Sequence, residues 1–153
     1  MDTLTKASRS WNMSRIRGRD TQPECAVRSI LHKEGFRFRL HDKSLPGTPD
    51  VVLPKYRCAI FVHGCFWHRH KRCSLAYTPR SRTRFWNRKF ADNVARDKRV
   101  VAALRKLGWR VVVIWECELI TPVEIVRRVR SVVDTIDSSP DSRVRTSPGR
   151  RGP

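Results

Sequence analysis

The sequence predicts an α/β domain. Three segments with helical periodicity alternate with short apolar runs that are typical of buried strands. A length of 153 residues suits one domain, and a hydrophobic content of 39% is enough for a modest core. We expect the helices to pack on a sheet formed by the apolar runs.

The charge of the chain indicates its class of partner. Lys and Arg number 33 against 14 Asp and Glu, which gives a formal net charge of +19. A surface this basic attracts polyanions. The apolar runs are too short to span a membrane and no hydrophobic signal segment is present at the N-terminus, so nucleic acid is the expected polyanion.

The first elements follow from periodicity and turn residues. Residues 1–20 are mostly polar and basic with no clear period, and they are predicted to form an arm. A helix is predicted from Thr21, which can cap it, to Gly35, which can end it. Alternation in residues 36–40 then predicts a strand.

Two buried strands are predicted next, in residues 51–54 and 57–62, joined by a tight turn. A long helix is predicted from about Thr83 to Leu107, followed by a buried strand over residues 109–116. A final amphipathic helix is predicted over residues 121–136, which completes a folded domain over residues 21–136. The segment 137–153 is rich in Ser, Pro, Gly and Arg and is predicted to be a disordered tail.

The cysteines suggest a metal site. Their odd number, five, and the lack of an export signal favour a reducing, cytoplasmic setting. Cys65, His70 and Cys73 form a C-x4-H-x2-C cluster, and Cys117 ends the last strand, a donor set that suits a structural zinc ion. Alternatively, Cys117 is an ordinary buried thiol and the histidines are surface residues. His63 and His68 also lie within reach, so the identity of the metal-binding imidazole stays open, whereas Cys25 and Cys58 are predicted to be packed thiols.

Asp50 is the candidate catalytic carboxylate, because it stands where a loop enters a strand in a basic protein. Such a carboxylate can hold Mg²⁺ against a phosphate, with His63 or His68 as proton acceptor. The alternative for Asp50 is a turn carboxylate that binds its own backbone. Glu24 completes a Thr-x-x-Glu capping box with Thr21 and is assigned a structural role on local sequence alone.

Two further sets of side chains have alternative interpretations. Asn93 and Asp97, four residues apart on the long helix, are consistent with a solvated face. Phe66, Trp67 and Trp86 surround the candidate zinc loop, where they are suited either to enter a DNA base stack or to fill the core. Core positions are predicted for the remaining tryptophans of the last strand, Trp109 and Trp115.

The segments SLPGTPD, FVHGCFWHRH, TRFW, NVARD and GWRVVVIWEC together resemble the very short patch repair endonucleases, the Vsr family of bacterial DNA mismatch-nicking enzymes. The resemblance runs from about Lys6 to Cys117. It implies a restriction-endonuclease-like fold, related to the PD-(D/E)xK nucleases, in which helices flank a mixed sheet and a structural zinc holds a loop. It also implies Mg²⁺-dependent nicking of one strand beside the T of a T:G mismatch, by a monomer acting on double-stranded DNA in the bacterial cytoplasm.

The resemblance also implies roles for individual residues. Asp50 and the backbone carbonyl of Val62 would bind Mg²⁺, and His68 would help to activate water. Glu24 and His63 match further active-site positions, so the resemblance favours a catalytic role for Glu24. The implied zinc ligands are Cys65, His70, Cys73 and Cys117. The implied DNA-inserting residues are Phe66, Trp67 and Trp86 from one groove and Met13 from the other.

The chain departs from the family pattern at a few positions. Val62 stands where many relatives carry threonine, which a backbone carbonyl ligand tolerates. Lys71 and Arg72 lie between two implied zinc ligands where some relatives have fewer residues. Two alternative functions remain: a nuclease of this fold with another DNA target, and a non-catalytic zinc-containing DNA-binding module.

Overall fold

The computed structural model describes residues 18–137, together with residues 5, 7 and 8. Four helices and four strands make up residues 18–137, with short 3₁₀ turns at Pro54–Tyr56 and Glu116–Leu119. In chain order they are α1 (Gln22–Lys33), β1 (Arg39–Leu40), β2 (Val51–Leu53), β3 (Cys58–His63), α2 (Cys65–His68), α3 (Thr83–Lys106), β4 (Arg110–Trp115) and α4 (Pro122–Asp137).

The strands form one mixed sheet in the order β1-β2-β3-β4. β2 is antiparallel to both β1 and β3, whereas β3 is parallel to β4, with α3 lying between them in the chain. The register places Val51 opposite Ile60 and His63 opposite Trp115. The predicted α/β class and mixed sheet are confirmed.

The central strand β3 is buried on both faces of the sheet. Cys58 and Ile60 pack in the larger core cluster, which also contains residues of α1 and α4. Ala59 and Phe61 point to the other face and pack with Leu104 of α3. Because the side chains of β3 alternate between the two faces of the sheet, they contribute to both core clusters. The end of β3 lies between the helices that cover the two faces.

Three expectations from the sequence are corrected. The strand predicted over residues 36–40 is reduced to Arg39–Leu40, because Phe36 is buried and its N–H donates to Leu31 O at the end of α1. The segment Cys65–His68, expected to be a loop, forms a short helix. Cys25 is exposed, because α1 turns Val27 and Leu31 toward the core, whereas Cys58 is a packed thiol as predicted.

The predicted arm over residues 1–20 lies mainly outside the described residues, and so does the predicted tail over 137–153, apart from Asp137 at the end of α4. Met13, the residue implied to insert into DNA, is also outside them. Within the described residues, no helix combines the length and apolar character needed to cross a bilayer.

Candidate active site and metal centre

Asp50 lies at the entry to β2, where the antiparallel pairing brings it beside the end of β3. Its Oδ2 atom accepts a hydrogen bond from the Val62 N–H at 2.7 Å. The side chain is 17% exposed. Burial raises the pKa of Asp50 to about 6, and the charge of Glu24 adds to this increase, while the Val62 N–H opposes it. The Asp50 carboxylate therefore accepts its hydrogen bond from the neighbouring strand and not from its own turn. A cation beside the carboxylate would stabilise its charged form.

Glu24 lies in the first turn of α1 and is only 3% exposed. Its carboxylate accepts hydrogen bonds from the Asp20 N–H at 2.9 Å and from Thr21 Oγ1 at 3.1 Å. The Glu24 N–H in turn donates to Thr21 Oγ1, so the cap predicted at this helix start is present. The same carboxylate lines a cleft with Asp50, so capping and a place in the site are compatible.

His63 and His68 stack face to face, with ring centroids 3.8 Å apart and planes 7° apart. His63 ends β3 and His68 ends α2. Burial lowers the pKa of His63 to about 4, and the neighbouring His68 adds to this decrease, so the His63 ring is neutral at neutral pH. The ring of His68 is the more exposed of the two, because His63 is buried, with only 8% of its surface exposed.

Asp97 of α3 fixes the ring of His68. The distance from its Oδ2 atom to His68 Nδ1 is 2.6 Å. A carboxylate only accepts, so His68 Nδ1 carries a proton and, in the neutral ring, Nε2 presents a lone pair. One turn earlier, Asn93 Nδ2 donates to the Trp67 carbonyl at 3.1 Å. The solvated face expected for Asn93 and Asp97 is wrong, because this face of α3 holds α2 in place.

These groups share one cleft of about 510 Å³. Its lining brings together the residues that the sequence analysis proposed for the active site, namely Glu24, Asp50, Val62, His63 and His68. The lining also contains three basic residues, Arg19, Lys43 and Arg96, and a third carboxylate, Asp97, which is bonded to His68. The cleft therefore combines a buried carboxylate, a neutral imidazole and positive charge, which suits a phosphodiester substrate.

Arg28 and His41, which were not predicted as site residues from the sequence, contact the carboxylates of this cleft. Arg28 donates to Glu24, and His41 Nδ1 lies 4.0 Å from Asp50 Oδ1. Nothing in the local sequence distinguishes either residue. For Asp97, the available signal was its spacing of four from Asn93, both short polar residues on one helix face.

A cluster of Cys65, His70, Cys73 and Cys117 places its four ligand atoms within 4.8 Å of one another. His70 Nδ1 lies 3.7 Å from Cys65 Sγ and 3.2 Å from Cys117 Sγ. Ligand atoms around a tetrahedral zinc are separated by about 3.5–3.8 Å, given Zn–S near 2.3 Å and Zn–N near 2.0 Å. The donor set and its spacing therefore fit a zinc ion, and His70 is the imidazole that lies with the thiols.

The cluster is tied to the last strand of the sheet. The Cys65 N–H donates to Glu116 Oε2 at 3.2 Å, and the ring of His70 stacks on Trp115 at 4.3 Å between centroids. Burial raises the pKa of Cys65 to about 12, so its thiolate form requires a nearby cation. Trp115, predicted to be core, is instead half-buried between this cluster and His63, whereas Trp109 packs against the smaller core cluster as expected.

Aromatic side chains form a patch where α2 meets the start of α3. The ring of Phe66 lies 5.0 Å from Trp67, 5.5 Å from Trp86 and 5.1 Å from the buried Phe90. Phe66, Trp67 and Trp86 are all partly exposed, and the neighbouring Phe85 is 45% exposed. The aromatic patch therefore lies at the surface and packs on the buried ring of Phe90. Phe66, Trp67 and Trp86 are not simply core residues, because each is partly exposed.

Comparison with known proteins identifies relatives over most of the chain. The sequence model for the family described as DNA mismatch endonuclease Vsr matches residues 1–75. The chain is 49% identical over 133 residues to the type II nicking enzyme V.XorIIP of Xanthomonas oryzae pv. oryzae, covering 87% of this chain and 97% of that protein. It is 51% identical over 118 residues to the DNA mismatch endonuclease Vsr of Escherichia coli, covering 77% and 75%.

A third relative, the type II nicking enzyme V.NmeAIP of Neisseria meningitidis, is 41% identical over 139 residues, with 88% of this chain and 99% of the relative covered. The similarity thus extends over nearly the whole length of two of these proteins. The protein belongs to the DNA mismatch endonuclease Vsr family and is a DNA endonuclease.

Proposed function

We propose that the protein is a Mg²⁺-dependent, strand-specific endonuclease that nicks DNA beside the T of a T:G mismatch and so starts very short patch repair. The observation that carries this proposal is the position of Asp50 in a cleft with Arg19, Lys43 and Arg96, where His68 lies on the same short helix as Phe66 and Trp67 of the aromatic patch. A catalytic site next to exposed aromatic rings would combine hydrolysis of a phosphodiester bond with recognition of a weak base pair.

Mg²⁺ would be held by the Asp50 carboxylate and the Val62 carbonyl. When bound, it supplies positive charge for the phosphate oxygens and lowers the pKa of a water molecule. The Val62 N–H donates to Asp50 Oδ2, which leaves Oδ1 as the oxygen that would bind the cation. Because the pKa of Asp50 is about 6, the carboxylate is ionised and ready to bind a cation at neutral pH.

His68 would accept the proton of the attacking water through Nε2. Asp97 keeps the proton of the ring on Nδ1, and the stacked His63 fixes the plane of the ring. As the water oxygen bonds to phosphorus, one P–O bond of the phosphodiester breaks and the strand is nicked. Glu24 would orient water at the metal, and the basic residues of the lining would stabilise the negative charge of the transition state.

Zinc at the Cys65 cluster would have a structural role, because four protein ligands leave no open position. It would hold the segment that carries Phe66, Trp67 and His68. These residues lie within one helical turn of each other, so the metal would position both the DNA-inserting rings of Phe66 and Trp67 and the proton acceptor His68.

A strand-specific nicking assay tests the proposal. End-labelled duplexes that differ only in T:G or T:A would be incubated with Mg²⁺ or without added divalent ion. We expect one nick, on the T strand of the mismatched duplex, that requires Mg²⁺. Equal cleavage of both duplexes would contradict mismatch specificity, and binding of DNA without any nick would contradict catalysis.

Replacing Asp97 with asparagine is expected to lower kcat by about 10²–10⁴-fold with little change in KM for DNA, because the asparagine amide can donate to His68 Nδ1 and so favours the tautomer with its proton on Nε2. Single-turnover nicking rates and DNA binding measure the two quantities. Asp92→Asn removes the same charge from an exposed position of the same helix and serves as the control. A fall in DNA affinity with unchanged kcat would contradict the assigned role.

Replacing Trp67 with alanine is expected to reduce the preference for T:G over T:A duplexes by about 5- to 100-fold, since one stacked ring contributes about 1–3 kcal/mol. Fluorescence anisotropy on both duplexes measures the preference. Trp67→Phe, which keeps an aromatic face, should retain part of it. Equal losses of affinity for the two duplexes would show that Trp67 supports binding without reading the mismatch.

A further inference from the structure

Tyr77 is the most exposed aromatic residue in the part of the chain that the structure describes, at 64%. It lies between Cys73 of the metal cluster and the start of α3, and its ring centroid is 5.0 Å from that of Phe66. The aromatic patch therefore has a further member at its edge. A ring so exposed contributes little to folding, because little of its surface is removed from water.

Arg69 fixes the backbone beside this ring. Its guanidinium donates from Nη1 to the Tyr77 carbonyl at 2.9 Å and from Nη2 to Thr78 Oγ1 at 3.0 Å. The same guanidinium lies over the buried ring of Phe90, 4.2 Å from the ring centroid. A guanidinium that stacks on one residue and binds two others holds all three in one arrangement. The exposed ring of Tyr77 is therefore carried by a constrained backbone.

The backbone conformation of Arg69 supports a role for its side chain. Arg69 ends α2 in the left-handed region, with φ of 56°, where glycine or asparagine is usual. An arginine in this conformation gives up stability that glycine would keep, and such strain is typical of positions where the side chain is needed. Here the side chain joins the end of α2 to Tyr77 and Phe90.

The segment around Tyr77 is suited to nucleic acid. Residues 69–91 contain eight Lys or Arg and no Asp or Glu, and Arg80, Arg82 and Arg84 are exposed. Such a segment can contact phosphates. An exposed aromatic ring among these charges can pack on a base or a sugar, and nucleic acid offers the flat face and the negative charge together.

The distance between Tyr77 and Phe66 indicates where the ring would meet DNA. Successive bases of one strand are about 3.4 Å apart along the helix axis. If Phe66 enters the base stack at the mismatch, a ring centred 5.0 Å from it reaches a nucleotide one or two steps away. The planes of the two rings are 43° apart, which suits packing on that nucleotide and not insertion into the same base step.

We propose that Tyr77 is a further DNA-contacting residue, whose ring packs on a nucleotide one or two steps from the T:G mismatch, and that Arg69 is the positioning residue that holds it there. This inference rests on the proposed function, because it takes the aromatic patch as the surface that meets the mismatch. It extends the recognised DNA beyond the mismatched pair.

The first test is the affinity of the full zinc-loaded chain for a T:G duplex, measured by fluorescence anisotropy without added Mg²⁺ so that the DNA stays intact. Tyr77→Leu keeps an apolar side chain against Phe66 and loses the flat face. Tyr77→Phe keeps the face and loses the hydroxyl. Leu75→Ala, at an exposed apolar position of the same segment, is the matched control.

We expect Tyr77→Leu to weaken binding by about 5- to 20-fold, as for loss of a stacked ring at the edge of an interface. Tyr77→Phe and Leu75→Ala should change the affinity by less than about 2-fold. Unchanged affinity in Tyr77→Leu would overturn the proposal, because the ring would then only cover Phe66. A loss in Tyr77→Phe as large as in Tyr77→Leu would also contradict it, since the hydroxyl would then make the contact.

Arg69→Lys tests the positioning role. Lysine keeps a charge for phosphate but lacks the fork that binds both Tyr77 and Thr78. We expect the same loss of affinity as in Tyr77→Leu, and no further loss when the two substitutions are combined. Wild-type affinity in Arg69→Lys, or additive losses, would show that Arg69 does not act through Tyr77. If Arg69→Lys loses its zinc, the Tyr77 variants decide the proposal.

Photo-crosslinking tests the location and separates this inference from the proposed function. With 5-iodouracil one or two steps from the mismatch, we expect an adduct on residue 77 in the wild type and in Tyr77→Phe, identified by mass spectrometry. Adducts only on other residues, or none, would refute the assigned location. If the wild type neither nicks DNA nor prefers T:G to T:A, the proposed function is wrong, whereas weaker binding by Tyr77→Leu would still show that Tyr77 contacts DNA.

Discussion

Replacement of Asp50 by asparagine is expected to abolish nicking, by about 10³-fold or more, and at the same time to stabilise the protein in the absence of Mg²⁺. The loss of activity follows from the loss of the charged carboxylate that we propose as the Mg²⁺ ligand of the cleft. The gain in stability follows from the burial of that same charge.

The direction of the stability change depends on the pKa of Asp50 in the two states. Its folded-state pKa of about 6 lies above the ordinary value of 3.8, so the folded state binds the proton more tightly than the unfolded state. As pH rises from about 4 to above 6, ionisation of Asp50 lowers the free energy of unfolding of the wild type by on the order of 3 kcal/mol. Asparagine does not ionise and avoids this loss, although its weaker bond to the Val62 N–H reduces the net gain to about 1–2 kcal/mol.

Urea denaturation at pH 7.5 and at pH 4.5, without added Mg²⁺, measures this difference. The advantage of Asp50→Asn should be present at pH 7.5 and nearly absent at pH 4.5. Asp42→Asn is the matched control in the same loop, because the bonds from Ser44 lower the pKa of Asp42 and the substitution should not stabilise the protein. A less stable Asp50→Asn at pH 7.5 would show that the carboxylate is held favourably even without a cation.

The same pKa predicts the pH dependence of Mg²⁺ use. Below about pH 6 a proton competes with the metal for Asp50, so nicking at limiting Mg²⁺ should fall as pH is lowered. Raising the Mg²⁺ concentration should move the midpoint to lower pH, because the metal displaces the proton. A midpoint that does not respond to Mg²⁺ would assign the titration to another group.

Local sequence pattern was sufficient to predict the elements whose stability is local. The cap of α1 by Thr21 and the end of α3 before Gly108 were expected and are present, and Gly108 has the left-handed conformation that suits this position. The strand expected over residues 36–40 was overestimated, because alternation in the sequence does not show that Phe36 is needed in the core beside Tyr56. Tertiary packing therefore determined the conformation of residues 36–40.

Prediction from local sequence pattern has the same limit at the candidate site. The sequence singled out Asp50, His63 and His68 because each has chemistry that a nuclease uses, and the structure places all three in one cleft. It could not single out Asp97 or Arg28, because their roles depend on contacts with partners on other elements. Asp97 meets His68 across 29 residues of chain, and Arg28 meets His41 across 13. Such pairs become visible only when the fold brings the elements together.

Loss of one ligand from the proposed zinc site at Cys65, His70, Cys73 and Cys117 is expected to have the second large effect. Cys117→Ser should lower the free energy of unfolding by about 3–5 kcal/mol and reduce zinc content from one ion per chain to a small fraction. The size of the effect has a structural reason. Cys117 lies in the 3₁₀ turn after β4, so a shared zinc ion would connect this turn to Cys65 at the start of α2. The other polar contacts that hold α2 are side-chain hydrogen bonds from Asn93, Asp97 and Glu116.

The substitution should also impair both parts of the function, since α2 carries Phe66 and Trp67 of the aromatic patch and His68 of the cleft. Elemental analysis, urea denaturation and the nicking assay measure zinc, stability and activity on the same sample. Cys25→Ser makes the same chemical change at an exposed thiol and should leave all three unchanged. If Cys117→Ser retains stability and mismatch-specific nicking without zinc, the contacts of α3 alone hold α2 in place and the metal is not the element that joins recognition to catalysis.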